Sequence, residues 1–239
     1  MDPLRLGFPA TALHEAAAAA VARVLEAHDH EVEAIALPPG APRDGIDLFV
    51  AAWLAPGEAM SDLMQPIGLV YRPSLIWCVL ADAPKRIDEL AACPELDRRI
   101  VVPANTQVAD AAARVRDAYD LAGSGYVIDP LPEAQAFAWA QAADHTHVVP
   151  LTRPHELLHT GPWRVLLDPL VALGVEQQAC ILLRAGLRET LDRDLIDELD
   201  ELTLGNKVVS AMAHAIRLDG MSAEAAADAW QRGKLTPRG

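Results

Sequence analysis

Basic residues are scarce in this sequence, and their shortage excludes two classes of partner. There are 20 lysines and arginines against 34 aspartates and glutamates, which gives a formal net charge of −14 at pH 7. Nucleic acids and anionic membrane surfaces select basic patches, so we expect neither as a partner. The acidic residues are spread along the chain, and not gathered in one block, which is typical of a solvated surface.

Cysteine is too sparse to define a framework. The three cysteines, Cys78, Cys93 and Cys180, are odd in number and lack the CxxC spacing of a zinc site. Two of them, Cys78 and Cys180, lie in apolar runs, where buried thiols are expected. One disulfide stays open as an alternative, so cysteine usage does not fix the redox compartment. The histidines have no convincing metal spacing either, and we predict no metal and no other cofactor.

Long apolar runs are missing as well. No stretch reaches the roughly 20 consecutive apolar residues that span a bilayer as a helix, so we expect no membrane span. The sequence opens with a strand-like pattern, without a basic segment followed by an apolar one. We therefore expect either a cytoplasmic protein or one whose leader precedes this sequence.

Catalytic motifs are also lacking. The sequence contains no GxSxG, no glycine-rich phosphate loop and no CxxC motif. The segment Gly123-Ser124-Gly125 is typical of a turn before a strand. Because no nucleophile with a matching base can be assigned, we do not expect an enzyme. A small-molecule enzyme stays as an alternative, since folds of this class also carry catalysis.

What the sequence does contain is a regular alternation of short apolar runs and amphipathic segments. Hydrophobic residues make up 51% of the 239 residues, enough for a sizeable core. The alternation predicts an α/β fold with mixed, mainly parallel sheets flanked by helices. The predicted strands are Leu4–Phe8, Glu31–Leu37, Asp47–Leu54, Leu75–Leu80, Arg99–Val102, Gly125–Ile128, His147–Pro150, Val165–Leu167 and Ala179–Leu183. The predicted helices are Ala10–His28, Arg86–Ala92, Gln107–Leu121, Pro132–Ala143, Leu191–Leu202, Lys207–Leu218 and Ser222–Trp230. Between them, Ser61–Pro73 is predicted to be less regular.

The β-α-β rhythm of the first third returns in the middle of the chain, which predicts two lobes. We place residues 1–75 and 186–239 in lobe 1 and residues 76–185 in lobe 2. No low-complexity linker separates them, so the lobes are predicted to join through strands. Such strands are expected to act as a hinge that closes around a ligand.

Trp53 is the leading candidate for a binding residue. It ends the predicted strand Asp47–Leu54, and Pro56-Gly57 breaks the chain just after it. Ligands of open α/β sheets bind beyond the carboxyl ends of the strands, so a large aromatic residue there is a candidate pocket wall. The alternative is a tryptophan that caps the core.

Several stretches together carry a resemblance to a known family. They are, in order, residues 47–54, Ile-Val-Val-Pro at 100–103, Pro-His at 154–155, Leu-Leu-Asp-Pro at 166–169, Thr-Leu-Gly-Asn at 203–206, and Asp-Gly-Met-Ser-Ala-Glu at 219–224. Over nearly its whole length the chain resembles the substrate-binding proteins of ABC transporters for glycine betaine, choline and related quaternary ammonium osmoprotectants.

This resemblance implies a two-lobed periplasmic-binding-protein fold with a small-molecule ligand in the cleft between the lobes. It also implies a monomer, a periplasmic or other extracytoplasmic location, and an ABC permease as partner. The alternative is a cytoplasmic ligand sensor that kept the fold and lost transport.

The resemblance implies ligand contacts for three residues of the chain. The family holds the quaternary ammonium group against aromatic faces by cation–π attraction. Trp53 matches one tryptophan of that aromatic cage, and His155 matches the histidine of the family's Trp-x-Pro-His-Trp stretch. Phe8, with Gly7, lies where the family often offers backbone N–H groups to the ligand.

The same stretches also depart from the family pattern. Thr152 and Glu156 stand where Trp-x-Pro-His-Trp has its tryptophans, with Arg153 between them, and Asn105 and Thr106 occupy the place of another cage tryptophan. Arg153 either binds an anionic group of the ligand or pairs with Glu156 across one turn. These five residues predict a more polar cleft, and we expect a small polar or zwitterionic solute in place of plain glycine betaine.

Overall fold

A computed structural model of the protein describes residues 2–38, 40–58, 63–80, 82, 84–159 and 161–238. The predicted α/β fold with mixed sheets is confirmed, but the sheets are not mainly parallel as predicted, since three of the seven strand pairs in the described residues are parallel and four are antiparallel. The strands are β1 (Leu4–Pro9), β2 (Val32–Leu37), β3 (Leu48–Leu54), β4 (Met64–Tyr71), β5 (Ser74–Val79), β6 (Arg99–Pro103), β7 (Val127–Leu131), β8 (Val149–Arg153), β9 (Arg164–Val165) and β10 (Gln178–Arg184). The α-helices are α1 (Ala12–Ala27), α2 (Gln107–Ala118), α3 (Glu133–Gln141), α4 (Arg193–Glu201), α5 (Gly205–Arg217) and α6 (Ala223–Gln231). Ile87–Ala92 and Glu156–His159 are 3₁₀ turns.

The chain divides into two compact units. Unit 1 comprises Met1–Pro73, Pro154–His159 and Gln177–Arg238, and unit 2 comprises Ser74–Arg153 and Thr160–Glu176. The sequence places residues 76–185 together in lobe 2, whereas β10 and the Pro154–His159 segment belong to unit 1. The reason for β10 is its pairing, because its two neighbours in the sheet, β3 and β4, are both strands of unit 1.

Unit 1 is built on a five-stranded sheet in the order β2-β1-β3-β10-β4. The predicted parallel pairing holds for β1 with β2 and with β3, whereas β10 runs antiparallel to both β3 and β4. The β3 residues Leu48–Ala52 are all buried, as is typical of a strand covered on both faces. The sheet therefore brings the carboxyl ends of β1 and β3 to one edge.

The helices of unit 1 pack on this sheet through small side chains. The alanine-rich helix α1 lies against α5 and α6, and its buried alanines allow close approach. It begins where the Thr11 hydroxyl accepts a hydrogen bond from the backbone N–H of His14. No helix in the described ranges of the chain is both long enough and apolar enough to cross a membrane.

Strand β4 is the main difference from the predicted elements. The segment Ser61–Pro73 is predicted to be less regular, and its residues 61 and 62 lie outside the described residues, but the chain is extended from Met64 onward. Pro66 and Gly68 interrupt the strand pattern. Gly68 has a φ of +62°, and a Cβ there would lie 2.5 Å from the backbone oxygen of Leu199. The glycine therefore allows α4 to pack closely on β4.

Unit 2 contains two smaller sheets. The strand β5 lies between β8 and β9, antiparallel to both, while β6 and β7 form a parallel pair. Trp77 on β5 is fully buried at the centre of this unit's core, as its apolar run predicts. The helix α2 covers the core through its apolar face, which includes Val108 and Val115.

Candidate functional site

A β-bulge near the end of β3 sets the position of Trp53. The pairing of β3 with β10 slips between Cys180 and Leu182, and Ala51 opposite this slip has a φ of +56°. Ala51 is 1% exposed, so a buried alanine is held in the left-handed region, which costs about 1–2 kcal/mol. Bulges occur often beside functional sites, where they turn a side chain toward a ligand. Trp53 follows two residues later.

The indole of Trp53 is held by two neighbours. Its Nε1–H donates a hydrogen bond to the buried Tyr71 hydroxyl at 2.9 Å. The ring of His14 lies 5.7 Å from the Trp53 ring, centroid to centroid, at an interplanar angle of 33°. Trp53 itself is half-buried. Its polar atom is therefore satisfied within the protein, and the ring is fixed with part of its surface still accessible.

His14 is the neutral partner of this tryptophan. Its Nδ1 lies 2.8 Å from the Thr11 hydroxyl. Burial lowers the pKa of His14 to about 4, so the imidazole is uncharged at neutral pH. A neutral ring beside Trp53 leaves the indole free to attract a cation, which an imidazolium would repel.

His155 is fixed in unit 1 by backbone hydrogen bonds. Its N–H donates to the buried Ser210 hydroxyl at 3.1 Å, and its Nδ1 accepts from the N–H of Leu157 at 3.2 Å. Burial lowers the pKa of His155; the nearby Glu156 opposes this shift and Arg217 adds to it. The Pro154–His159 segment therefore presents a neutral imidazole in a defined orientation.

The side chain of Glu156 forms an ion pair with an arginine that is distant in the sequence. Its side chain is 6% exposed and its Oε1 lies 2.6 Å from Nη1 of Arg217 on α5. Arg217 therefore compensates the charge of the Glu156 carboxylate, and the pairing of Glu156 with Arg153 stays a prediction. His214, one turn before Arg217, donates from Nδ1 to the backbone oxygen of Glu156 at 3.2 Å.

A chain of contacts brings Trp53 and His155 to the same end of unit 1. Trp53 donates a hydrogen bond to Tyr71 at the end of β4. The next residue, Arg72, donates its backbone N–H to the side chain of Asn206 at the start of α5, and its C=O accepts a hydrogen bond from the same side chain. Ser210, one turn further along α5, accepts the N–H of His155. This is the edge at which the parallel strands end, where ligands of α/β sheets bind.

Phe8 lies on this edge but contributes its side chain to the core. Its ring is 6% exposed and packs in the main cluster of unit 1. Gly7 before it has a packing reason of its own, since a Cβ there would lie 3.0 Å from the side chain of Ile46. The ligand contact of Phe8 stays a prediction that concerns its backbone.

Asn105 and Thr106 belong to unit 2, in the turn between β6 and α2. Asn105 is exposed and has a φ of +58°, a conformation that asparagine tolerates better than most residues. The Thr106 hydroxyl donates to the Pro103 backbone oxygen at 2.7 Å and accepts from the Ala109 N–H at 3.3 Å, which caps α2. The hydroxyl is thus already engaged in starting the helix, and ligand contact by either residue stays a prediction.

Thr152 and Arg153 end β8, also in unit 2. Arg153 pairs across the sheet with Ser74, and its Nη2 lies 3.6 Å from a Glu176 carboxylate oxygen. Within the described ranges, Arg153 Nε and Ser74 Oγ are buried and make no hydrogen bond. Residues directly opposite on neighbouring strands project to the same face, so two donors without an acceptor lie side by side. Ligand contact by Thr152 and Arg153 stays a prediction.

Four residues of this arrangement do not emerge from the sequence pattern: His14, Tyr71, Ser210 and Arg217. A signal for two of them exists. Ser210 and Arg217, with His214, follow a spacing of four and three residues, which places polar side chains on one face of a predicted helix. Polar residues aligned on one helical face are able to bind a partner elsewhere in the chain, but the spacing does not tell which segment supplies it.

The fold comes first: an α/β protein with a half-buried tryptophan and a histidine at the end of unit 1 where its parallel strands end. The family follows from the sequence. The chain belongs to the family of the substrate binding domain of ABC-type glycine betaine transport systems, whose model matches residues 2–232. The resemblance predicted from the ordered motifs is confirmed. No curated protein matches the chain.

Solved structures of binding proteins share the fold. The lactococcal OpuAC complexed with glycine betaine has a TM-score of 0.72 at 17% identity, with 98% of this chain and 96% of that chain covered. The glycine betaine/L-proline-binding protein ProX from Borrelia burgdorferi has a TM-score of 0.69 at 16% identity, covering 95% and 91%. An ABC-transporter choline-binding protein in complex with choline has a TM-score of 0.64 at 17% identity, covering 97% and 88%. At these identities the likeness establishes the fold.

Proposed function

We propose that this chain captures a small polar or zwitterionic solute for an ABC-type uptake system, with Trp53 as one wall of its site. The observation that carries the proposal is the placement of Trp53: half-buried at the carboxyl edge of the unit 1 sheet, with its Nε1 bound to Tyr71 and a neutral His14 beside it. An indole held in this way offers a face to a cationic head group.

The polar candidates support an anionic or hydrogen-bond-accepting group at the other end of the solute. His155 is neutral and its Nδ1 already accepts a hydrogen bond, so its proton is on Nε2, a donor. An aromatic wall for a cation and a donor for an oxygen acceptor, both at the same end of unit 1, together favour a zwitterion over a plain cation such as choline.

Partner and location form part of the same proposal. Membership of the family supports an ABC permease as the receiver of the solute, and an extracytoplasmic compartment as the place of capture. A monomer is proposed on the same ground. Binding is proposed to need no metal and no cofactor, because the groups named above supply both the attraction for a cation and the donors for an oxygen.

The test is a comparison of two tryptophan variants by calorimetric titration with glycine betaine, carnitine, choline and proline. Trp53→Ala is expected to weaken binding of the solute that the wild type binds by about tenfold or more, since a desolvated cation–π contact contributes about 2 kcal/mol. Trp230→Ala is the matched control, because Trp230 is also half-buried and packed against the core of unit 1, but it lies on helix α6 and not at the end of a strand.

Trp230→Ala is expected to reduce stability without changing the dissociation constant. If Trp53→Ala leaves the dissociation constant unchanged and lowers the melting temperature as Trp230→Ala does, Trp53 is a core residue and the proposed site is wrong.

A further inference from the structure

The buried charge of Glu156 calls for a physical explanation. Within the described chain, Glu156 and Ser210 are the polar or charged residues classed as buried, and both touch the His155 segment. Burial of a carboxylate carries a desolvation penalty, and a buried charge that loses its partner is strongly unfavourable. Arg217, whose side chain is 32% exposed, supplies the compensating charge for Glu156.

The pair lies directly beside the imidazole of His155. One carboxylate oxygen of Glu156 is 2.6 Å from Arg217 Nη1, and the other is 3.5 Å from Nδ1 of His155. The same Nδ1 accepts the N–H of Leu157 at 3.2 Å. A neutral imidazole whose Nδ1 accepts a hydrogen bond carries its proton on Nε2. His155 is thus held in one tautomer, with a carboxylate within reach of the nitrogen that has no proton.

Two charge arrangements compete for this carboxylate. With Arg217 bound, the negative charge is compensated and Nδ1 of His155 stays an acceptor. Without Arg217, the nearest group able to compensate Glu156 is His155 itself, by taking a proton on Nδ1. An opposite charge within about 4–6 Å stabilises the charged form of a histidine by about 1–3 pH units. Arg217 therefore adds to burial, the largest cause, in keeping His155 neutral.

The other titratable groups around this segment lie further out. His214 binds the backbone oxygen of Glu156 through Nδ1, and its Nε2 is 3.9 Å from an Asp219 carboxylate oxygen. The ring of His159 is 5.1 Å from that of His214, and its Nδ1 accepts the Arg238 backbone N–H. These groups lie beside His214, whereas Glu156 and Arg217 are the charged groups that shift the pKa of His155.

We propose that Arg217 is a positioning residue that, by binding Glu156, holds His155 as the neutral ring with its proton on Nε2. The role rests on the proposed function in one respect: His155 is a residue proposed to contact the solute. Glu156 stands where the family pattern has a tryptophan, and in this chain its proposed role is to act on the neighbouring histidine.

The test follows the ring of His155 by nitrogen NMR as a function of pH, with its signals assigned by their loss in His155→Gln. In the wild type we expect Nε2 to carry the proton through the neutral range. In Arg217→Met the pKa of His155 is expected to rise by about 1–3 pH units, because Glu156 is no longer compensated. In Arg217→Lys the positive charge remains, so most of the wild-type behaviour is expected to return.

A double variant separates this electrostatic role from a structural one. Glu156→Gln with Arg217→Met removes both charges, and the pKa of His155 is expected to fall back to the wild-type value or below. A merely structural Arg217 would lower the melting temperature in Arg217→Met and leave the pKa of His155 unchanged. That result, or a double variant that behaves like Arg217→Met, would overturn the proposal.

The link to binding has its own readout. For the solute that the wild type binds, the dissociation constant is expected to be flat between pH 6 and 8, and to become pH-dependent in that range in Arg217→Met. If the wild type binds a solute and both curves are flat, the proposed function stands and the positioning role is wrong. If the pKa of His155 responds as expected but the wild type binds no solute, Arg217 still controls His155 and the proposed function is wrong.

Discussion

His14 is the residue whose ring lies beside that of Trp53, the proposed wall of the site. It has no counterpart among the candidates that the sequence identifies, because its partner Trp53 lies 39 positions away in the sequence. The structure places its half-buried ring against the indole. A histidine that stays neutral there is compatible with a cationic head group on the indole, whereas an imidazolium would compete with it.

The depressed pKa of His14 predicts a pH dependence of stability. Between pH 6.5, its ordinary pKa, and about 4, its pKa in the fold, the unfolded chain takes up a proton that the folded chain refuses. The stability contributed by neutral His14 is therefore complete above pH 6.5 and is lost as the pH falls toward 4. At about 1.36 kcal/mol per pH unit, the loss is about 3 kcal/mol.

The measurement compares denaturant unfolding of the wild type and His14→Gln at several pH values from 7 to 4. The variant has no group to protonate at this position, so its free energy of unfolding is expected to fall less steeply over that interval. Parallel curves for the two proteins would show that His14 is accessible to protons in the folded state, contrary to its burial.

The candidate residues illustrate what sequence patterns can reach at this scale. Trp53 is predictable because a strand pattern and its break place it at a strand end. The partner of Glu156 is not, because Arg217 lies 61 residues further along the chain and no local spacing connects them. The sequence offers Arg153 as the nearest opposite charge, and the fold brings a more distant one.

At the scale of elements, the β-bulge in β3 sets the position of Trp53. Its left-handed residue is an alanine, although glycine adopts this conformation without a steric penalty. We therefore expect Ala51→Gly to lower the free energy of unfolding less than Ala52→Gly does, by a difference of about 1 kcal/mol. Ala52 is the matched control, since it is also buried on β3 but lies outside the left-handed region.

Thermal and denaturant unfolding of the two variants check this prediction. Equal losses, or a larger loss for Ala51→Gly, would show that Ala51 is not strained, and that the bulge does not store energy beside Trp53.

At the scale of elements, an unbroken apolar run is the clearest strand signal in the sequence. Leu48–Ala52 is such a run, without proline or glycine. Strand β4 escapes prediction because Pro66 and Gly68 lie in its interior. Gly68 is explained only once α4 is in place, since its N–H donates to the Asp200 side chain at 2.9 Å.

At the scale of the whole molecule, the sequence predicts least well which strands are neighbours in a sheet and in which direction they run. An alternating β-α pattern favours parallel neighbours. In unit 1 the central sheet instead receives β10, which returns antiparallel between β3 and β4 from more than 100 residues later in the sequence. Long-range pairing of this kind leaves no periodic trace in the strands themselves. The repeated β-α-β rhythm predicted two lobes, and the family resemblance implied the same organisation.

The central claim, that the chain binds a small polar or zwitterionic solute, is tested most directly by thermal unfolding of the wild type in the presence of candidate solutes. A solute that binds only the folded chain stabilises it by about 2.7 kcal/mol at a concentration 100 times its dissociation constant. We predict that a zwitterion such as glycine betaine, carnitine or proline raises the melting temperature in a concentration-dependent way, and more than choline does. A melting temperature that no small zwitterion or quaternary ammonium compound raises would contradict the claim.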